Sequence, residues 1–277
     1  MGSLKFRILP APATLQDDVA CFHIAEYSGK EAVAINVLPN AVPGLLFQHS
    51  NGWPALDNIT THTGCKRSTP TLFVYGAGTE PSVMHYKASA YVMINVVFKP
   101  HALNSLLGIN AATLTDCAVE LNEFSREKLN DQLLDARDEQ EQIALLTAFL
   151  LAQRSQVQAR DPVIEAGLAL IHQNIPSITV NSLLHSLNLS ERQFERRFRQ
   201  AVGISAQSYI RVKRFNAALQ LMKTGQYARL TDIAHALHFS DQSHFIREVK
   251  AFSGITPKHL AQKIDDFHHE QIGYSYR

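Results

Sequence analysis

The first hundred residues alternate short runs rich in β-branched, aromatic and aliphatic side chains with clusters of turn formers. Runs at 19–27, 32–38, 45–48, 71–75 and 91–98 are separated by Ser28-Gly29, Pro39-Asn40, Asn51-Gly52 and Gly76-Ala77-Gly78. That spacing predicts a small antiparallel sandwich or barrel. From Pro100 the apolar period changes to that of a helix, at 101–107 ended by Gly108, then at 126–137 and 139–154. Ile143, Leu146, Phe149 and Leu150 make a broad apolar face. Such a face needs cover from its own β-domain or from the same helix of a second copy. Residues 153–161 are polar and aperiodic and predict a domain boundary. Asp161-Pro162 then reads as an N-cap followed by proline at the first helical position, opening a helix that Asn174 and Pro176 end.

Beyond that helix the apolar pattern repeats. Leu183-Leu184, Leu187, Leu189 and Ser190 recur as Ile233-Ala234, Leu237, Phe239 and Ser240 at an offset of 50 residues. After the intervening turn the offset is 51, so that Phe194, Arg196, Phe198, Arg199, Gly203, Ile204 and Ser205 meet Phe245, Arg247, Val249, Lys250, Gly254, Ile255 and Thr256. Each copy reads as a short helix, a tight turn and a second helix, spanning about 179–203 and 231–254. In the first copy Thr179 caps a helix through Leu187, Asn188 takes the turn, and Ser190 with Gln193 predicts a capping box. At 100° per residue Phe194 and Phe198 share one side of the second helix, and Arg192, Arg196 and Arg199 fall within about 60° of one another on the other. In the second copy Phe245 and Val249 face inward, and Ser243, Arg247 and Lys250 outward, with Gln242 and His244 in the first turn. The run 205–223 carries Tyr209, Ile210, Phe215, Leu219 and Met222 at helical spacing and predicts one long helix between the units.

Charge sharpens this picture. The 277-residue chain has a formal net charge of only +1, but residues 162–263 hold 13 Lys and Arg against 6 Asp and Glu, whereas residues 1–161 hold 12 against 16. A locally basic module suits phosphate contact, and a helix bearing outward arginine and glutamine fits a major groove, where arginine pairs with guanine and glutamine with adenine. Composition, 45% hydrophobic and 18% charged, is that of an ordinary globular protein with room for two cores. No run of 18 apolar residues, signal peptide or myristoylation motif stands out, so a cytoplasmic location is expected.

The residues that could do other chemistry are poorly arranged for it. Cys21, Cys65 and Cys117 form no Cys-x-x-Cys pair and predict neither disulfides nor zinc. His23, His49, His62, His85 and His101 lack the His-x-His and nearby carboxylate of a cupin-type metal centre, and no Gly-x-Ser-x-Gly elbow is present. No enzyme, cofactor or metal site is expected.

The stretch Ile233-Ala234 through Phe239-Ser240-Asp241-Gln242-Ser243-His244-Phe245-x-Arg247, followed by Gly254-Ile255-Thr256-Pro257, resembles the AraC/XylS transcription regulators, over roughly residues 162–262. The resemblance implies a DNA-binding domain at 162–263 that contacts double-stranded promoter DNA through Arg192, Gln193, Arg196 and Arg199 in one unit and Gln242, Ser243, His244, Arg247 and Lys250 in the other. RNA polymerase is a further expected partner and an activator role is expected, with repression left open by the sequence. Leu184 stands where that family usually has alanine, Asn188 and His238 where glycine is common, Val249 where phenylalanine is usual, and Leu260 where tyrosine is usual. Residues 1–155, β-rich to 100 and helical over 101–155, resemble less specifically a sensor-like domain found ahead of this module, through Leu38-Pro39-Asn40, Val97-Phe98-Lys99-Pro100 and Leu114-Thr115-Asp116. That implies reception of a small molecule or pairing into a homodimer. The expected fold class is α+β, a sandwich or barrel with a helical appendix followed by an all-α domain of two helix-turn-helix units joined by a long helix. A rival of another class is a methyl-accepting DNA-repair regulator built on the same module, which requires a reactive cysteine.

Overall fold

A computed structural model describes residues 3–121, 128–154, 160–225, 227–263 and 275–276. Among the described residues, eleven strands and ten α-helices follow one another in an N-terminal β-rich domain and a C-terminal helical domain. Among these residues the strands are β1 (Leu4–Pro10), β2 (Val19–Tyr27), β3 (Val33–Val37), β4 (Gly44–His49), β5 (Leu56–Thr61), β6 (Lys66–Arg67), β7 (Leu72–Tyr75), β8 (Ser82–Tyr86), β9 (Tyr91–Phe98), β10 (Ala118–Glu120) and β11 (Ser275–Tyr276). They form two antiparallel sheets that do not close into a barrel, ordered β1-β2-β9-β4-β7-β10 and β11-β3-β8-β5-β6. The short β11 pairs with β3, returning the end of the chain to the N-terminal sheet.

The central strands of the first sheet, β2, β4 and β9, are buried on both faces, and their register shows how. Phe22 lies opposite Val96, Ile24 and Phe47 opposite Ile94, and Leu45 opposite Val96. This face packs on helices α1 (Ala102–Leu107), α2 (Leu129–Asp135) and α3 (Glu139–Arg154). The alternate residues, His23 and Leu46 opposite Asn95 and Ala25 opposite Met93, face the second sheet. Burial on both sides explains why β2, β4 and β9 read as nearly unbroken hydrophobic runs. The apolar face of α3 is thus covered by its own domain.

Asp18 pins this helical layer to the sheet. Fully buried at the start of β2, it accepts a hydrogen bond from Ser105 Oγ at 2.7 Å and lies 3.5 Å from His101 Nε2. Burial alone raises its pKa, but the nearby His101 ring and the bond from Ser105 outweigh that and hold it below the usual carboxylate range.

The C-terminal domain comprises α4 (Pro162–Gln173), α5 (Val180–Leu187), α6 (Glu191–Val202), α7 (Ala206–Thr224), α8 (Leu230–Ala236), α9 (Gln242–Ser253) and α10 (Pro257–Lys263). Asp161 caps α4 through Val163 N at 3.0 Å, and Thr179 caps α5 through Ser182 N at 3.1 Å, as the sequence predicts. Asn188 and His238 adopt φ of 51° and 54°, the left-handed turns where glycine is otherwise common. The capping box expected at Ser190 does not form: its hydroxyl donates to Gln193 Oε1 at 3.1 Å and leaves the backbone N–H groups uncapped. Phe194, Phe198, Phe215 and Phe245 are fully buried in one core. Gly167 admits that packing, since a Cβ there would stand 3.2 Å from the Phe194 ring.

The domains touch extensively. Leu38, Ala41 and Ala77 belong to the same apolar cluster as the C-terminal core. Lys213 and Asn216 of α7 donate to the carbonyls of Asn40 and Pro39, at 2.8 and 3.2 Å. Thr115 Oγ1 donates to Gly203 O at 2.8 Å, and Gly203, at φ 96°, lets Ala111 O approach where a Cβ would stand only 2.9 Å away.

Burial drives the pKa of His23 down to about 4, so the native state excludes a proton that the unfolded chain binds below pH 6.5. Stability is therefore lost as pH falls from 6.5 toward 4, at a limiting slope of about 1.4 kcal/mol per pH unit for this residue. Urea unfolding of wild type and His23→Leu across that range should show the two curves converging at neutral pH on a modest offset and diverging in acid. Parallel curves would contradict the assignment.

Candidate nucleic-acid interface

The two second helices of the repeat, α6 and α9, present equivalent faces. Each buries an aromatic or aliphatic pair, Phe194 with Phe198 and Phe245 with Val249, and turns the residue midway between them, Arg196 and Arg247, to solvent. Arg192, Gln193, Arg196 and Arg199 are exposed on α6, and Gln242, Ser243, Arg247 and Lys250 are exposed on α9. His244 is only half exposed. Its Nδ1 lies 3.1 Å from Ser240 Oγ and its ring stands edge-on to Phe239 at 5.5 Å, so it braces the start of α9.

Arg192 and Arg196 make no ion pair among the described residues, whereas Arg199 lies 3.4 Å from Glu195. Arg247 helps to lower the pKa of Asp241, an effect led by the bond Asp241 accepts from the His244 N–H at 2.7 Å. The same acceptor starts α9.

Several basic residues that contribute to the regional charge are spent on structure. Arg197 forms two bonds to the Asp161 carboxylate, one of them from Nε at 2.7 Å, tying α6 to the capped end of α4. Arg211 of α7 pairs with both oxygens of Glu248 at 3.0 and 2.8 Å and lies over the Phe252 ring at 5.4 Å, fixing α9 on α7. Arg214 donates to the carbonyls of Ile175 and Ile178, and its burial lowers its pKa. Sequence position did not separate these from the outward arginines. The signal available was parity, because Arg197 and Glu248 stand at corresponding repeat positions and face the domain's own elements.

A second feature lies within the N-terminal domain. Between its sheets is a cavity of about 240 Å³ lined by Ala25, Leu46, Phe73, Met84 and Met93, with His23 and Thr69 among its polar members. Leu38, Asn40 and Val42 form part of its wall, in the same loop that covers α7. Sequence reasoning missed this cavity, since its lining residues are scattered over many strands.

The cysteines lie closer in space than in sequence. Cys117 Sγ accepts from Arg67 at 3.0 Å, and Cys65 bonds the same guanidinium. Cys21 is buried, and that burial pushes its thiol up to about 11. No cluster of three or more potential metal ligands occurs among the described residues, and no described helix is long and apolar enough to cross a membrane.

This geometry defines a tandem helix-turn-helix DNA-binding domain. Residues 183–263 match the family described as a helix-turn-helix domain, and residues 7–120 match a domain of unknown function, DUF6597. With the repeat and its turns, the C-terminal part of the chain carries a helix-turn-helix domain of the AraC type. No curated protein matches the chain. Among solved structures, it is similar to ToxT from Vibrio cholerae, with 11% identity and a TM-score of 0.48 over 94% of this chain and 98% of that one. A ToxT structure with an unsaturated fatty acid bound is similar at 13% identity and a TM-score of 0.45, covering 94% of each chain. The C-terminal domain of AraT from Geobacillus stearothermophilus is similar over 40% of this chain and 95% of that one, at 20% identity and a TM-score of 0.36.

If the Arg211 and Glu248 pair sets the angle of α9, Arg211→Met should weaken specific DNA binding a fewfold without touching DNA. The melting temperature should fall only slightly, because half-exposed ion pairs contribute about 0–1 kcal/mol. Gel-shift titration beside a thermal melt checks this, and undiminished affinity would show that α9 is held by packing alone.

Proposed function

We propose that α6 and α9 enter successive major-groove segments of duplex promoter DNA. Arg192, Gln193, Arg196 and Arg199 make the base and phosphate contacts of the first unit, and Gln242, Ser243, His244, Arg247 and Lys250 those of the second. The observation that carries this reading is the pair of outward arginines, Arg196 and Arg247, at matching positions of the two repeats and exposed on both helices. Neighbouring arginines are drawn into internal pairs, so exposure here is selective. Arg247 sits two positions after the buried Phe245, and Arg196 two after the buried Phe194, so both helices present arginine at the same angle to a docked duplex.

The N-terminal domain, in this reading, receives a small molecule in its cavity and passes the event to DNA binding inside the cell. Support comes from the shared wall: the loop that lines the cavity is the loop on which α7 rests. A ligand that moves Asn40 or Leu38 moves the cover of the helix joining both reading units. A second copy of the chain and RNA polymerase complete the set of partners proposed for such a regulator.

Arg196→Ala or Arg247→Ala should each cost about 1–3 kcal/mol at a selected site and relax base preference locally. Binding sites selected from random duplexes, followed by gel shift at fixed salt, measure both effects. Unchanged affinity for both variants would remove these residues from the interface.

A further inference from the structure

The cavity between the sheets concentrates the unsatisfied polar atoms of the fold. Among the described residues, both ring nitrogens of His23, Thr69 Oγ1, His101 Nε2 and Asn216 Oδ1 are buried without a hydrogen-bond partner. Three of these five atoms belong to residues that line the cavity. His23 is 7% exposed and Thr69 also 7%. A buried donor or acceptor without a partner is costly, and native folds rarely keep one unless another molecule satisfies it. The ring of His23 is neutral, so it offers one donor and one acceptor.

The remaining lining sets the rest of the ligand's character. Its walls are mainly aliphatic, aromatic and thioether side chains. Only three lining residues carry formal charge, Arg67, Glu80 and Asp116, giving one positive against two negative. Each already has partners. Arg67 donates to Cys117 and the Asp116 carbonyl, Asp116 accepts from Thr79 and Glu80, and Glu80 pairs with His62 at 2.7 Å. The one cation among the described lining residues, Arg67, is exposed and held on Cys117 and the Asp116 carbonyl, and two carboxylates outnumber it, so a bound carboxylate or phosphate would be desolvated against a net negative lining.

We infer that the cavity takes an uncharged, mainly apolar molecule carrying a hydroxyl or carbonyl group, and that His23 and Thr69 are the residues that recognise that polar group. The inference rests on the proposed sensing role of the domain and names the chemical class it senses. It sets the site apart from pockets for sugars, which need many polar partners, and for fatty-acid anions, which need a cation.

The test uses the full chain and the neutral fluorescent probe N-phenyl-1-naphthylamine, displaced in turn by 1-octanol and by octanoate at neutral pH. Octanol should compete at about a tenfold lower concentration than octanoate. His23→Phe and the isosteric Thr69→Val, each checked for an intact melting transition, should weaken octanol roughly three- to tenfold, the worth of one hydrogen bond, and spare the probe. Octanoate competing as well as octanol, or octanol unaffected by both variants, overturns the inferred class while the cavity stands as a binding site. If the probe fails to bind, or binds equally to a Leu46→Trp variant with its cavity filled, the sensing role fails and the inference with it.

Discussion

Everything in the C-terminal domain hangs on covering one helix. The buried residues of α7, Ala206, Tyr209, Ile210, Val212, Phe215, Ala218, Leu219 and Met222, are spread around its whole circumference at 100° per residue. A helix apolar on every side is stable only when wrapped. The two helix-turn-helix units take two sides, and Leu38, Ala41 and Ala77 of the N-terminal domain join the same cluster from a third. Burying each large side chain contributes about 1.5–3 kcal/mol, so no partner of α7 is dispensable. The requirement that makes α7 a spacer between the two helix-turn-helix units also makes Leu38, Ala41 and Ala77 of the N-terminal domain part of the C-terminal core.

This arrangement gives the cavity its leverage. Its wall and the cover of α7 are one segment, with Asn40 accepting from Lys213 on one side and lining the cavity on the other. Coupling therefore needs no long path. In the proposed sensing role, a ligand would act on the spacer through a single layer of loop by favouring one placement of that loop over another.

The C-terminal half was legible because its constraints are local. Caps at Asp161 and Thr179, left-handed turns at Asn188 and His238, and the inner phenylalanines all follow from residue type and spacing. In the N-terminal half the strands buried on both faces, β2, β4 and β9, were readable as hydrophobic runs. β1, β5 and β8 were not, since Leu4–Pro10, Leu56–Thr61 and Ser82–Tyr86 mix half-buried polar and apolar residues without a clean alternation. The choice of sandwich over barrel depended on pairings far apart in sequence. Separating Arg196 from Arg197 as outward and structural depended on Asp161, 36 residues away from the latter. The cavity depended on where side chains from both sheets fail to meet, which no linear pattern records.

A rigid α7 of 19 residues spans about 28 Å at 1.5 Å per residue, which fixes the separation of α6 and α9. Hydroxyl-radical footprinting on a selected site tests this most directly. Two protected segments on one face of the duplex, about one helical turn apart, are expected, together with loss of binding when half a turn is inserted between them. Retained affinity with the inserted half turn would mean that the units move independently, and would contradict the role assigned to α7.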